Sequence, residues 1–210
     1  MKTNPLIQLG NIPALTGTIA SCFPHLVDPV EKIRALEKDG QLIRLKRGLY
    51  VVSPEVSGKP ISAPLCANHI YGPSYVSLQW ALRYYGLIPE RVHTVTSITT
   101  KRSRSFYNPL GNFSYKQVTQ RYFPLGVTST EEDSIFYLIA TPEKALCDTI
   151  IHDRYLPQQS VRGLWQYLEE DIRFDIDALK DFDITIIEQC AQAGRKTEIL
   201  NNLIKIIKQL

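Results

Sequence analysis

Between Asp28 and Val52 the chain reads DPVEKIRALEKDGQLIRLKRGLYVV, and few folds accept that order of signals. Asp28 suits an N-cap, Pro29 the first helical position, and Glu31 the reciprocal place of a capping box. Val30, Ile33 and Leu36 recur at helical spacing, so one face of the predicted helix is apolar. Gly40 supplies the left-handed residue that ends it. Two apolar runs follow, Leu42-Ile43 with Leu45, and Leu49 to Val52, on either side of Lys46-Arg47-Gly48. They predict two short strands around a basic turn, with Gly48 where φ must be positive. A capped helix leading into a basic hairpin is the second half of a winged helix-turn-helix. Arg44, Lys46 and Arg47 lie within four residues with no acid between them, which suits a surface that meets phosphates. The helix mixes Lys32, Arg34 and Lys38 with Glu31, Glu37 and Asp39, so it is not itself strongly basic. The alternative is a plain helix-hairpin element whose charges only solvate it.

The first helix of such a unit is expected within 12–27, capped by Thr16 or Thr18, running through Ile19 to Phe23 and stopped by Pro24. Leu15, Ile19, Phe23 and Leu26 would then close a small core with Ile33, Leu36 and Leu49. Ser53 to Ser62 holds two prolines, a glycine and three serines, and reads as a linker. About 53 residues precede it, enough for a small winged domain.

Charge is segregated along the chain. The net +3 of the 210 residues hides a stretch, 91–122, with six Lys or Arg and no acid. Residues 123–210 hold nine Lys or Arg against fifteen acids. Basic regions in front of an acidic tail suggest nucleic acid at one end and a different task at the other. No apolar run reaches the ~18 residues of a membrane span. Pro5, Gly10, Asn11 and Pro13 interrupt the N-terminal apolar stretch, which therefore does not read as a signal peptide. Cys22, Cys66, Cys147 and Cys190 are scattered, consistent with a reduced, cytoplasmic setting.

Beyond the linker, residues 63–86 read as two helices split at Gly72-Pro73, with Ser74 capping the second and Tyr75, Leu78, Leu82 and Tyr85 on its apolar face. Residues 91–123 turn to β character, rich in β-branched and aromatic residues, with a turn at 108–112. Phe136 to Ala140 is another short strand. Thr141-Pro142-Glu143 opens a helix that places Ala145, Leu146, Thr149 and Ile150 inward. From Ser160 the chain is predicted helical in four pieces, the last carrying Ile199, Leu203, Ile206, Ile207 and Leu210 on one stripe.

Four motifs in this order, IRLKRGLYVV, GPSYVSLQWALRYYGLIPE, VTSITTKRS and ATPEKALCD, resemble the AbiEi-type antitoxins, winged-helix bacterial regulators paired with nucleotidyltransferase-type toxins in abortive-infection systems. The resemblance covers roughly residues 12–152. It implies an N-terminal winged domain that represses its own operon by binding promoter repeats, with 29–39 as the reading helix and 42–52 as the wing. It also implies a larger C-terminal part that neutralises the toxin without a stable complex. It supplies no catalytic residues and no cofactor.

The expected architecture is therefore α+β: a winged helix-turn-helix over 1–54, a mixed domain over 63–157, and a helical extension over 158–210. The expected partners are double-stranded DNA of the protein's own promoter and, functionally, a nucleotidyltransferase-like toxin, with no membrane. The candidate DNA-binding residues are Lys32, Arg34, Lys38, Arg44, Lys46 and Arg47. Lys101, Arg102, Arg104 and Lys116, interleaved with aromatics, form a candidate second basic surface; the same pattern arises when a sheet simply alternates core and solvent faces.

Two other constellations point elsewhere. Cys22-x-x-His25 and Cys66-x-x-His69 have half-site spacing for zinc, but they straddle the predicted linker. Asp148 and His152 share a helical face and suggest a nuclease or nucleotide-transfer site, with a hydrogen-bonded surface pair as the plainer reading. No phosphate-cradling glycine loop, nucleophile elbow or H-E-x-x-H occurs, so the chain is expected not to be an enzyme. The remaining rival is a winged module that docks protein instead of DNA.

Overall fold

The computed structural model describes residues 4–154, 156 and 160–210. It is a mixed α+β structure with two sheets. The expected domain boundary at 157–158 lies outside the described residues.

The N-terminal unit begins with a 3-10 helix, Pro5–Leu9, which the sequence reading did not anticipate. It continues through β1 (Ala14–Leu15), α1 (Thr16–Ser21), α2 (Pro29–Lys38), β2 (Leu42–Lys46) and β3 (Leu49–Val52). The three strands form one antiparallel sheet in the order β1-β3-β2. Helix α2 starts where the sequence places it: one carboxylate oxygen of Asp28 accepts from the backbone N–H of Val30 and of Glu31. The reciprocal half of the capping box is not made, because the Glu31 carboxylate turns to Arg34. Gly40 (φ 72) and Gly48 (φ 79) both adopt the left-handed conformation expected of them. Helix α1 starts at Thr16 rather than being capped by it, and ends before Phe23.

Ile19, Ile33, Leu36, Leu42, Tyr50 and Val52 close the small core, joined by Leu6. Three expected members, Leu15, Leu26 and Leu49, do not belong to it. Leu15 and Leu26 are exposed, at 60% and 42%, and so is Val30, expected on the apolar face of α2, at 48%. Val30 sits in the first turn of α2. Leu49 is buried, but on the other side of the hairpin. Successive strand residues point to opposite faces, so Tyr50 and Val52 enter the small core while Leu49 and Val51, with Leu45 of β2, join the large one. Strand β3 is thus buried on both faces.

The Pro/Ser-rich stretch expected as a linker is folded against its neighbours. It contains α3 (Pro54–Ser57), Ser53 is buried, and the Asn11 side-chain amide donates to the Pro60 carbonyl across 2.6 Å. Val56 packs on the small core and Ile61 on the large one.

The second unit carries α4 (Ala63–Ile70), β4 (Ser74–Val76), α5 (Leu78–Tyr84), β5 (Thr94–Thr99), β6 (Arg104–Asn108), β7 (Gly111–Gln117), β8 (Val127–Glu132), β9 (Ile135–Ala140) and α6 (Pro142–His152). Its six strands run β6-β7-β5-β4-β9-β8, with β5/β7 and β4/β9 parallel and the remaining pairs antiparallel. Ser74 does not cap a helix. It opens β4, and Ser77 takes the N-cap position of α5 without a side-chain cap. Tyr115 donates to the Ala67 carbonyl of α4, whereas Tyr75 donates to Asp148 of α6, so helices cover both faces of this sheet.

The Thr141 hydroxyl caps α6 by accepting from the Lys144 N–H, as expected from the Thr-Pro-Glu start. After it come α7 (Val161–Gln166) with a π-helical turn over Tyr167–Asp171, a 3-10 helix over Ile176–Asp181, α8 (Ile184–Ala193) and α9 (Thr197–Ile207). Ile199, Leu203, Ile206 and Ile207 of α9 are buried, but Leu210 lies past the helix end and is exposed. Among the described residues no helix is long and apolar enough to cross a membrane.

Candidate nucleic-acid interface

The β2–β3 turn carries the basic run of the hairpin, and its side chains divide. Arg44 and Arg47 are exposed, Lys46 half-buried. A register shift between Arg44 and Lys46 turns the end of β2, and the Lys46 ammonium donates to the Ile70 carbonyl at the end of α4 across 2.6 Å. Nearby, the Asn108 side-chain amide donates to the Leu45 carbonyl across 3.1 Å. The hairpin is therefore clasped by α4 and by the β6–β7 turn.

That clasp gathers basic residues from far apart in sequence. Partial burial lowers the pKa of Lys46, and the Lys101 and Arg104 charges lower it further. Lys101 donates to the Gly72 carbonyl and lies 5.3 Å from the centre of the Tyr71 ring. Arg104 lies 5.0 Å from the Phe106 ring, which in turn packs on Tyr71 with centroids 5.5 Å apart. Arg102 is exposed in the loop between β5 and β6. The expected first and second basic surfaces thus meet at Lys46. Lys116 is the exception: it lines a cleft beside His152 on the α6 face of the sheet.

On α2, Lys32, Arg34 and Lys38 are all exposed. Lys32 sits 5.9 Å from the Phe23 ring centre. Arg34 pairs with Glu31 at 3.3 Å and Arg44 with Glu37 at 3.9 Å. Exposed pairs of this kind contribute about 0–1 kcal/mol, so both guanidinium groups are available to an incoming phosphate.

Asp148 and His152 are not a surface pair. Asp148 is completely buried. One of its oxygens accepts from Tyr75 at 3.1 Å and Ser77 at 2.6 Å, and the other faces the Lys144 ammonium at 3.4 Å. Lys144 is equally buried; it donates to the Tyr122 carbonyl and sits 3.1 Å from the centre of the Tyr122 ring. Burial and the Asp148 charge both raise the Tyr75 pKa. These contacts tie β4 and the start of α5 to α6, and the carboxylate is closed to solvent. Lys144 was overlooked in the sequence, although its i, i+4 spacing to Asp148 was available to read.

The Cys-His pairs stay apart in character: Cys66 is buried, its thiol pushed up to about 12 by burial, while His25 is exposed. Among the described residues no three His, Cys, Asp or Glu side chains gather as a metal site requires.

Compared with protein-family models, the chain matches none, and comparison with curated proteins finds no significant match.

Proposed function

We propose that the chain is a DNA-binding transcriptional autorepressor and the antitoxin of an abortive-infection-type pair, opposing a nucleotidyltransferase-like toxin in the cytoplasm. In this reading the N-terminal unit is a winged helix-turn-helix, with α2 reading the major groove and the β2–β3 hairpin as wing. The order 3-10 helix, β1, α1, α2, β2, β3 and the three-stranded sheet support it. One observation carries the binding half: Lys101 and Arg104 of the second unit stand close enough to Lys46 of the hairpin that, beside its partial burial, their charges lower its affinity for protons. Like charges gathered at a surface are costly unless an anion relieves them, and a phosphate backbone does so with release of counterions. The antitoxin half rests on the resemblance of the four motifs. The protein acts by binding, not catalysis, in keeping with the enclosure of Asp148.

The test is retardation of the protein's own upstream DNA against a random duplex of equal length, alongside rescue of cells expressing the neighbouring toxin gene. Specific retardation and rescue are expected. Equal affinity for both duplexes would remove the repressor role, and loss of rescue without loss of folding in Asp148→Asn would revive an enzymatic site.

A second reading, a protein-docking module, is favoured by the exposed Leu26, Val27 and Val30 around the start of α2. It predicts a purified chain that self-associates and retards no DNA.

A further inference from the structure

Apart from the hairpin surface, the structure holds a cleft of about 830 Å³ between the end of β7, the C-terminal end of α6 and the α8–α9 turn. Its walls bring together Lys116, Arg154, Arg195 and Lys196. Lys196 is engaged: its ammonium donates to the Ile150 and Asp153 carbonyls at the end of α6. Among the described residues, Lys116, Arg154 and Arg195 have no ion-pair partner. Asp153, which accepts from the Tyr167 hydroxyl at 2.7 Å, is the one carboxylate among the described wall residues, against four cations. The cleft therefore keeps a net positive charge.

His152 lines the same cleft. Burial lowers its pKa, and the Lys116 and Arg195 charges push it the same way against the pull of Asp148. Its Nε2 is buried and has no hydrogen-bond partner among the described residues. Beside the cations, Val118, Ile151 and Ile199 give the cleft an apolar wall. A volume of this size lies within the range of pockets that take small organic ligands. Three unpaired cations call for phosphate groups rather than a single carboxylate, and an apolar wall next to them suits a flat heterocycle.

We propose that this cleft binds a nucleoside polyphosphate, with Lys116, Arg154 and Arg195 on the phosphates and the apolar wall against the base. The site is distinct from the hairpin surface and stands whether or not the N-terminal unit binds DNA.

The experiment is calorimetric titration and thermal shift of the full chain at low ionic strength, with ATP, GTP, inorganic triphosphate, adenosine and a short single-stranded RNA as probes. A nucleoside triphosphate should raise the melting temperature and bind saturably, inorganic triphosphate more weakly, and adenosine not at all. Lys116→Gln and Arg195→Gln should each weaken nucleotide binding about tenfold, the size of one lost charge-assisted contact. Lys101→Gln with Arg104→Gln should leave it unchanged. Arg195 is exposed, so its variant keeps the test decisive if Lys116→Gln disturbs the sheet. The proposal falls if no probe binds, if both variants bind nucleotide as tightly as the parent, or if inorganic triphosphate matches the nucleotide. Binding of the RNA without binding of mononucleotides would equally overturn it.

Discussion

The Lys46 ammonium donates to the Ile70 carbonyl across 2.6 Å, joining the tip of the N-terminal hairpin to the last residue of α4. A cation at a helix C-terminus is favourably placed against the carbonyls exposed there. This contact fixes where the hairpin points, leaving Arg44 and Arg47 outward while Lys46 turns inward toward Lys101 and Arg104. The basic turn is thus an element of both units.

A fragment of residues 1–56 is expected to fold poorly. Leu45, Leu49 and Val51 are buried in the larger core, and each contributes roughly 1.5–3 kcal/mol by that burial. Their sum is comparable to the whole stability of a small domain, about 5–15 kcal/mol. Circular dichroism melting should show a broad, low-temperature transition for the fragment and one cooperative transition for the full chain. A fragment melting sharply at the full-chain temperature would show the units to be independent.

Breaking the buried ion pair should cost more than removing it. Lys144→Met or Asp148→Leu alone leaves an uncompensated buried charge, at a cost of about 3–5 kcal/mol. The double variant should recover part of that loss. Denaturant titration measures all three; a double variant as unstable as the sum of the singles would mean that the pair is not coupled.

Much of this architecture was legible in the residues. The Asp28 cap, the glycines at 40 and 48 and the Thr141 start all act locally, within a turn, and each lies where the chain signals it. What escaped was tertiary. The run Leu49-Tyr50-Val51-Val52 shows no alternation of apolar and polar residues, which is the mark of a strand buried on both faces, but which of its residues enter which core depends on the second unit packing behind the hairpin. The linker was inferred from prolines and serines, which also suit a short capped helix such as α3. Ser74 precedes a helix by four residues, and the intervening strand is too short to carry a period. The convergence of Lys46 with Lys101 and Arg104, and of Lys116 with Arg195, depends on strand order and could not be read from spacing. The acid-free stretch 91–122 divides between two faces of the sheet, with Lys101 and Arg104 near Lys46 and Lys116 beside His152.

Acid should destabilise the protein partly through His152. Burial lowers its pKa in the folded state, so between that value and about 6.5 the unfolded chain binds more protons. Stability is then full above about pH 6.5 and falls as pH drops through the folded-state pKa. His69, lowered by burial as well, acts in the same direction. Melting temperatures from pH 7.5 to 5 should fall less steeply in His152→Gln than in the parent; an identical slope would mean that His152 titrates as it does unfolded.

The central claim is that the hairpin and the β5–β6 region present one surface to DNA. Each phosphate contact adds about 0.9 to the magnitude of the slope of log affinity against log salt concentration. That slope, measured for the protein's upstream duplex and a random one, should fall by about two when Arg44→Ala and Arg47→Ala are combined. It should fall comparably for Lys101→Gln with Arg104→Gln. Lys32→Ala and Lys38→Ala should weaken the upstream duplex more than the random one, since base edges carry the sequence. An unchanged slope for Lys101→Gln with Arg104→Gln, beside a reduced slope for the hairpin pair, would contradict the single surface; unchanged slopes in both would contradict DNA binding through it.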